Sequence, residues 1–338
     1  MKRILVTGGL GFIGSHTVVE LQNTGFNVVI IDDLSNSKIE VLDNITEITG
    51  KRPDFHQIDL RIKKDVQAFF DNHHIDGIIH FAAFKAVGES VQKPLEYYEN
   101  NIGSLVYLLQ EMRNRNIDHF IFSSSCTVYG QADELPITEN APTKPATSPY
   151  GNTKQIGEEI IRGTCKANGL NAIALRYFNP IGAHESVKIG ELPLGVPQNL
   201  IPYITQTAAG IREQLSIFGD DYDTPDGTAI RDYIHVVDLA NAHIAALQRL
   251  IDKKNLNNFE YFNVGTGKGS SVLEIVKTFE SATNQKLNYK IVDRREGDIT
   301  AAYADTTIAN KELNWKTEKT LEEALQSAWL WQKKQQTS

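Results

Sequence analysis

The chain has 338 residues, of which 41% are hydrophobic and 22% charged, with a formal net charge of −8 at pH 7. These values fit a globular protein of one large domain or two smaller ones and argue against general polyanion binding, so nucleic acid is not an expected partner. No stretch approaches the roughly 20 apolar residues of a membrane span, and the short apolar run near Met1 is too brief for a secretory leader. Two cysteines, Cys126 and Cys165, cannot build a disulfide framework or a multi-cysteine metal site. The expectation is a cytoplasmic protein with no membrane contact and no metal.

Up to Arg176, short β-branched runs alternate with longer amphipathic segments. Strands are predicted at Arg3–Val6, Asn27–Ile31, Asp54–Gln57, Gly77–His80, His119–Phe122 and Asn171–Arg176. Helices are predicted at Phe12–Asn23, Ile62–Asn72, Leu95–Arg115 and Tyr150–Asn168. This alternation predicts an α/β fold, a Rossmann-type doubly wound parallel sheet over residues 1–176. Beyond it, proline and glycine mark loops at Asn179–Gly182, Leu192–Pro197 and Asp220–Gly227. Helices at Asn199–Gly210, Val236–Leu250, Val272–Thr283 and Leu321–Lys334 and strands at Leu215–Phe218 and Tyr261–Val264 predict a smaller mixed α/β part over 177–338, with room for chain crossovers. The cleft between the two parts is the expected ligand site.

The first strand runs into Thr7-Gly8-Gly9-Leu10-Gly11-Phe12-Ile13-Gly14, a G-x-x-G-x-x-G turn opening a helix. Gly8 permits the tight turn, Gly11 lets backbone approach a pyrophosphate, and Gly14 allows close helix-strand packing. Amides at the helix N-terminus then favour the anion. The next strand ends in Asp32-Asp33, at the distance expected for a carboxylate that binds the adenosine ribose and repels the extra phosphate of NADP. NAD is the cofactor this arrangement implies.

Tyr150 and Lys154 lie one helical turn apart on one face. A phenol titrates near pH 10 and needs a positive neighbour to act as a base near neutrality, a charge Lys154 can supply. Taken alone, such a pair is more often a surface pair than a catalytic one. The run Phe122-Ser123-Ser124-Ser125-Cys126-Thr127-Val128-Tyr129-Gly130 begins where a parallel strand ends, the place where open α/β sheets put their ligands. Ser125 there could hydrogen-bond a reacting sugar oxygen.

Glycine turn, serine and Tyr-x-x-x-Lys in this order resemble the extended short-chain dehydrogenase/reductase family over nearly the whole chain. The segments His80-Phe81-Ala82-Ala83-Phe84-Lys85-Ala86-Val87, Arg176-Tyr177-Phe178-Asn179-Pro180, Arg231-Asp232-Tyr233-Ile234-His235 and Arg294-Arg295-Glu296-Gly297-Asp298 narrow the resemblance to its UDP-galactose 4-epimerase branch. The resemblance implies an isomerase. Tyr150 takes the O4 proton while the C4 hydride passes to NAD+, the 4-keto sugar turns over, and the hydride returns to its other face. It implies that Lys154 lowers the Tyr150 pKa and holds the nicotinamide ribose, and that Ser125 positions O4. A cofactor lining of Phe12, Ile13, Asp33, Asn36, Asp59, Leu60, Phe81, Ala82, Ala83, Lys85, Asn100 and Phe178 follows from the same resemblance.

For the UDP-sugar, Arg231 and Arg295 could clamp the diphosphate by fork-shaped hydrogen bonds, and Asp298 could accept from a hydroxyl. The resemblance adds Lys85, Asn179, Asn199, Leu200, Ser216, Ile217, Phe218 and Tyr233. It also places Ala302, four residues after Asp298, beside the sugar's C2 substituent. Relatives with tyrosine there tend to be confined to unacetylated hexoses, so a methyl implies acceptance of UDP-N-acetylglucosamine and UDP-N-acetylgalactosamine as well, unless a neighbour such as Tyr303 fills the space. Pairing through the long helices implies a homodimer. Rival readings are a nucleotide-sugar 4,6-dehydratase or decarboxylase, whose relatives carry an acid just after the active-site Ser or Thr where this chain has Cys126, and a non-catalytic NAD-sensing protein.

Overall fold

The computed structural model describes residues 1–295 and 297–337; Glu296, inside one of the motifs quoted above, lies outside the described residues. In the first half, strands β1 (Arg3–Thr7), β2 (Asn27–Asp32), β3 (Asp54–Gln57), β4 (Gly77–His80), β5 (His119–Ser125) and β6 (Asn171–Tyr177) alternate with helices. These helices are α1 (Phe12–Asn23), α2 (Glu40–Thr49), α3 (Lys63–Asn72), α4 (Val87–Gln92), α5 (Pro94–Tyr98), α6 (Ser104–Arg115) and α7 (Pro149–Asn168). The second half holds β7 (Asn179–Ile181), α8 (Leu200–Ala208), β8 (Leu215–Phe218), β9 (Ile230–Arg231), β10 (Tyr233–His235), α9 (Val236–Ile251) and β11 (Phe259–Val264). It ends with β12 (Ser270–Ser271), α10 (Val272–Thr283), β13 (Tyr289–Val292), β14 (Ala301–Ala302), α11 (Thr307–Glu312) and α12 (Leu321–Thr337).

The central sheet has seven strands in the order β11-β6-β5-β4-β1-β2-β3, every pair parallel. Its strands read as continuous apolar runs because both faces are covered. Alternate residues feed opposite cores: Ile4, Val6, Val28 and Ile30 join one cluster, while Leu5, Val29 and Ile31 join the other. The seventh strand comes from beyond residue 176, and Leu239, Ala242 and Ala246 of α9 share a core with Val18 and Leu21 of α1. The chain thus crosses back to complete the Rossmann sheet. A third cluster, with Ile201, Ile204, Ile217, Phe279 and Trp329, holds the second part together.

Two local expectations are corrected. The helix expected over Leu95–Arg115 is interrupted by a wide turn at Glu99–Gly103. There the buried Asn101 accepts from the Phe84 amide at 2.8 Å and donates to the Phe84 carbonyl and to Thr153 Oγ1, both at 3.0 Å. These inward bonds draw the backbone out of a regular helix, as such wide turns commonly do. Asn179–Gly182 is not simply a loop either: Asn179–Ile181 pairs in parallel with β10, a partner more than 50 residues away that local composition cannot reveal.

Helix α7 has well-defined ends. Ser148 caps it by accepting from the Gly151 amide at 3.2 Å, Pro149 opens the first turn, and Gly169 closes it in the left-handed conformation. On its buried side Glu158 receives the Arg176 guanidinium, Nε to Oε1 at 2.9 Å and Nη2 to Oε2 at 2.6 Å. Both side chains are nearly inaccessible, at 3% and 4% exposure. Removing one partner of such a pair strands the other charge in the core. We therefore expect Glu158→Ala to destabilise the fold by about 3–5 kcal/mol in urea unfolding; a loss below about 1 kcal/mol would show that Arg176 finds another counter-charge or water.

Candidate active site

The glycine turn leaves β1 and wraps onto α1. Gly8 has φ +68°, and a Cβ on it would lie 2.8 Å from the Ala82 amide nitrogen; on Gly14 it would lie 2.1 Å from the Gly8 carbonyl oxygen. Side chains are excluded where the backbone of β1, α1 and the loop after β4 converge. Helix α1 starts at Gly11 with no side-chain cap and no acid in its first turn, leaving its positive end open to an anion.

Asp32 closes one side of this cradle. Its Oδ2 accepts from the Leu10 amide at 3.0 Å, and Oδ1 accepts from the Leu34 amide at 3.0 Å and Ser37 Oγ at 2.7 Å. A carboxylate offers about four acceptor positions, so Asp32 both braces the glycine turn and keeps acceptor capacity. Burial raises its pKa against these hydrogen bonds. Asp33 accepts from the Ser35 amide and hydroxyl, Asn36 is exposed, and Asp59 is paired with Arg61. Leu60 is buried, Phe81 packs on His243 at 4.7 Å between ring centres, and Asn100 donates to Asn101 at 3.0 Å. A tight turn, an uncapped helix start and a flanking carboxylate fit a dinucleotide.

Ser125, Tyr150 and Lys154 meet where β5 ends. Ser125 Oγ accepts from the Thr127 amide at 3.2 Å and is a hydrogen-bond partner of the Tyr150 phenol. Lys154 Nζ donates to the Ser123 carbonyl at 2.6 Å and lies 5.8 Å from the centre of the Tyr150 ring. The expected depression of the Tyr150 pKa is not present in the protein by itself. Burial pushes the phenol well above its ordinary value, Tyr177 adds to this, and only the Ser125 hydroxyl is among the influences that oppose it. Burial also lowers Lys154 to about 8, with Glu158 acting in the opposite direction.

Three groups here escaped the sequence reading. Tyr177 shares a 2.5 Å hydrogen bond with Ser123 Oγ. Glu158 is one turn beyond Lys154, a spacing that could have revealed it. Cys126 follows Ser125 and its thiol is pushed up to about 12 by burial, with the Arg231 charge opposing; this field connects the tyrosine side of the site to the arginine side.

On that second side, Arg295 makes two bonds to Asp298, Nε to Oδ2 at 2.9 Å and Nη2 to Oδ1 at 3.2 Å. Arg231 Nη2 lies 3.8 Å from the same carboxylate, and the Arg295 guanidinium sits 4.8 Å over the Phe218 ring. Tyr233 is close enough that Arg231 and Arg295 oppose the rise to about 12 that burial imposes on it. The two arginines, distant in sequence, are therefore neighbours. Strand β8 alternates: Ile217 enters the core while Ser216 is half-buried and Phe218 lies at the surface, so only the main chain of Ile217 remains for a ligand. Asn199 and Lys85 both reach Glu191, Leu200 opens α8, and the Asn179 amide donates to the Asp232 carbonyl at 2.9 Å. Ala302 is buried with Val128, Tyr129 and Phe178.

Among the described residues one trio of metal-type donors lies close together, Asp54, His56 and His73. It sits at the N-terminal end of β3, away from the glycine turn, and Arg3 already holds Asp54 at 2.5 Å. No helix among the described residues is long and apolar enough to cross a membrane.

The family model for GDP-mannose 4,6 dehydratase matches residues 5–328. The UDP-glucose 4-epimerase of Haemophilus influenzae is 52% identical over 331 residues, covering 98% of this chain and 97% of that protein. The crystal structure of the UDP-glucose 4-epimerase from Stenotrophomonas maltophila, with bound NAD and formylated UDP-arabinopyranose, superposes with a TM-score of 0.96 at 46% identity, covering 100% of this chain and 99% of the other. That of the Bifidobacterium longum enzyme in complex with NAD+ and UDP gives 0.94 at 47% identity, covering 98% of each chain. With full-length matches in sequence and fold, the chain belongs to the family described by the GDP-mannose 4,6 dehydratase model and to the UDP-glucose 4-epimerase family.

Proposed function

We propose that this chain interconverts the C4 epimers of UDP-hexoses with NAD as cofactor, Tyr150 acting as the base toward O4. The observation that carries the reading is the meeting of Ser125, Tyr150 and Lys154 at the end of β5. Bound NAD would supply the hydride acceptor and, when oxidised, a positive ring. The chain's own part is to hold O4 through Ser125, move its proton to and from the Tyr150 oxygen, and keep the Lys154 charge nearby in a site dry enough for that charge to matter. Residues 1–176, completed by β11 and α9, would carry the dinucleotide, while Arg231, Arg295 and Asp298 in the second part would hold the nucleotide diphosphate. The dehydratase reading is disfavoured by Cys126-Thr127-Val128 after Ser125, which offers no carboxylate to eliminate water. Exposed Val87 and Val91 of α4 and Leu95 of α5, on helices that pack against α7, support a homodimer through the face that α6 and α7 border, a C2 contact of four helices.

Acceptance of N-acetylated sugars is part of this reading. Ala302 presents only a methyl in its cluster. The Tyr303 ring is at Gly269, where an added Cβ would come within 2.9 Å of it. Successive residues of an extended segment point to opposite sides, so this placing supports room beside Ala302.

Tyr150→Phe removes the proton acceptor and keeps the ring; turnover of UDP-galactose should fall about 10²–10⁴-fold with UDP binding by calorimetry preserved, and near-normal turnover would refute the assigned base. Ala302→Tyr should suppress turnover of the N-acetylated pair by at least about tenfold while sparing UDP-glucose and UDP-galactose. A wild type inert toward N-acetylated sugars would sink that part of the reading. Light scattering at micromolar concentration should give twice the chain mass; a monomer mass would rule out the helix-face dimer.

A further inference from the structure

Glu191 stands where the two sides of the site meet. The backbone around it is fixed. Ala183 and Gly190 form an antiparallel bridge, a Cβ on Gly190 would lie 2.6 Å from the Trp331 ring, and the Trp331 indole donates to the Glu191 carbonyl at 2.9 Å. The side chain is only 13% exposed, so its direction is set by neighbours rather than by solvent. Oε1 accepts from Asn199 Nδ2 at 2.6 Å and from Lys85 Nζ at 3.4 Å.

These two partners come from opposite sides of the cleft. Lys85 belongs to the loop after β4, next to the glycine cradle, and Asn199 is the N-cap residue of α8 in the second part. One carboxylate oxygen thus ties a cation from the loop after β4, in the first half, to the amide that opens α8 in the second. The bond to Asn199 also has a direction. Only the NH2 end of an amide can face a carboxylate, so Asn199 keeps its oxygen as the free acceptor, suited to a hydroxyl or N–H donor and unsuited to a phosphate oxygen.

We propose that Glu191 is a positioning residue for the sugar: it keeps Lys85 and Asn199 in register across the cleft and turns the Asn199 amide oxygen toward a hydroxyl-bearing ligand. The proposal rests on the placing of Asn199 in the sugar site given above.

Steady-state kinetics with UDP-galactose on Glu191→Ala, Glu191→Gln, Asn199→Ala and the Glu191→Ala/Asn199→Ala double variant test it. Glu191→Ala should raise KM about tenfold while kcat stays within about threefold. Glu191→Gln, whose amide oxygen still accepts from Asn199, should recover KM to within about threefold of wild type and keep the wild-type melting temperature. The double variant should have a KM no higher than Asn199→Ala alone, since the effect of Glu191 on sugar binding runs through the Asn199 amide. Additive losses in the double variant would overturn the proposal. So would a raised KM in Asn199→Ala with an unchanged KM in Glu191→Ala, or a fall in kcat and melting temperature with KM unmoved. A wild-type KM in Asn199→Ala would instead remove Asn199 from the sugar site, and the proposal with it.

Discussion

The buried pair between Arg176 and Glu158 is the constraint on which the active site depends. Two charges inside the fold must find each other, because either one alone would be several kcal/mol out of place. Their meeting fixes α7 against β6 at one register. The Ser124 hydroxyl donates to Glu158 Oε1 at 2.6 Å, so β5 is locked to the same point, one residue before Ser125. Arg176 also donates to the Tyr129 hydroxyl at 2.9 Å and stacks between Tyr129 and Tyr261. Glu158 is one helical turn from Lys154, and Arg176 immediately precedes Tyr177. The three elements that carry Ser125, Lys154 and Tyr177 are therefore held in place from beneath by a pair that has no need to touch a ligand.

A second buried carboxylate does comparable work on the other side. Asp232 Oδ1 accepts from the Thr266 amide and hydroxyl, and Oδ2 accepts from the amides of Gly267 and Ala304. It gathers the turn after β11, the end of the β14 segment and β9 around Arg231. The Asp232 amide in turn donates to the Ala302 carbonyl at 3.1 Å. Arg231 and Ala302, paired across β9 and β14, thus share one scaffold, and its surroundings include the turn that follows the last strand of the Rossmann sheet.

The Rossmann half was legible because its signals are local. Val28-Val29-Ile30-Ile31 can hardly be anything but a doubly buried strand, and Ser148-Pro149 with Gly169 punctuates α7 at both ends. What escaped depends on partners far along the chain. The two-residue strand at Ile230–Arg231 exists only because it pairs with Ala301–Ala302 on one side and Ser270–Ser271 on the other, and the wide turn at Glu99–Gly103 follows from Asn101 reaching Phe84 and Thr153. The motif over Ser216-Ile217-Phe218 says nothing of which atoms face a ligand, and strand alternation leaves only the main chain of Ile217 for that role. Glu191 carries no local motif at all, and its meaning appears only when Lys85 and Asn199 arrive beside it.

The electrostatics of the tyrosine and lysine were the least legible part, since they depend on how dry the site is. From the sequence, a lysine one turn away is expected to make the phenol easier to ionise. In the folded chain burial dominates, Tyr177 adds to it and the Ser125 hydroxyl opposes it, and the phenol is harder to ionise than in water. The same burial lowers Lys154 to about 8, so the ammonium form is still favoured near neutral pH but is lost as pH rises through that value. A phenol that resists ionisation is, once ionised, a stronger base, which is what the role proposed for Tyr150 toward O4 requires. In the proposed role, ionisation would have to be driven by positive charge assembled around the site, of which Lys154 would be the chain's own contribution. Its Nζ bonds to the Ser123 carbonyl, at a point fixed by β5 and braced by Glu158, so the charge acts through space from a constant distance.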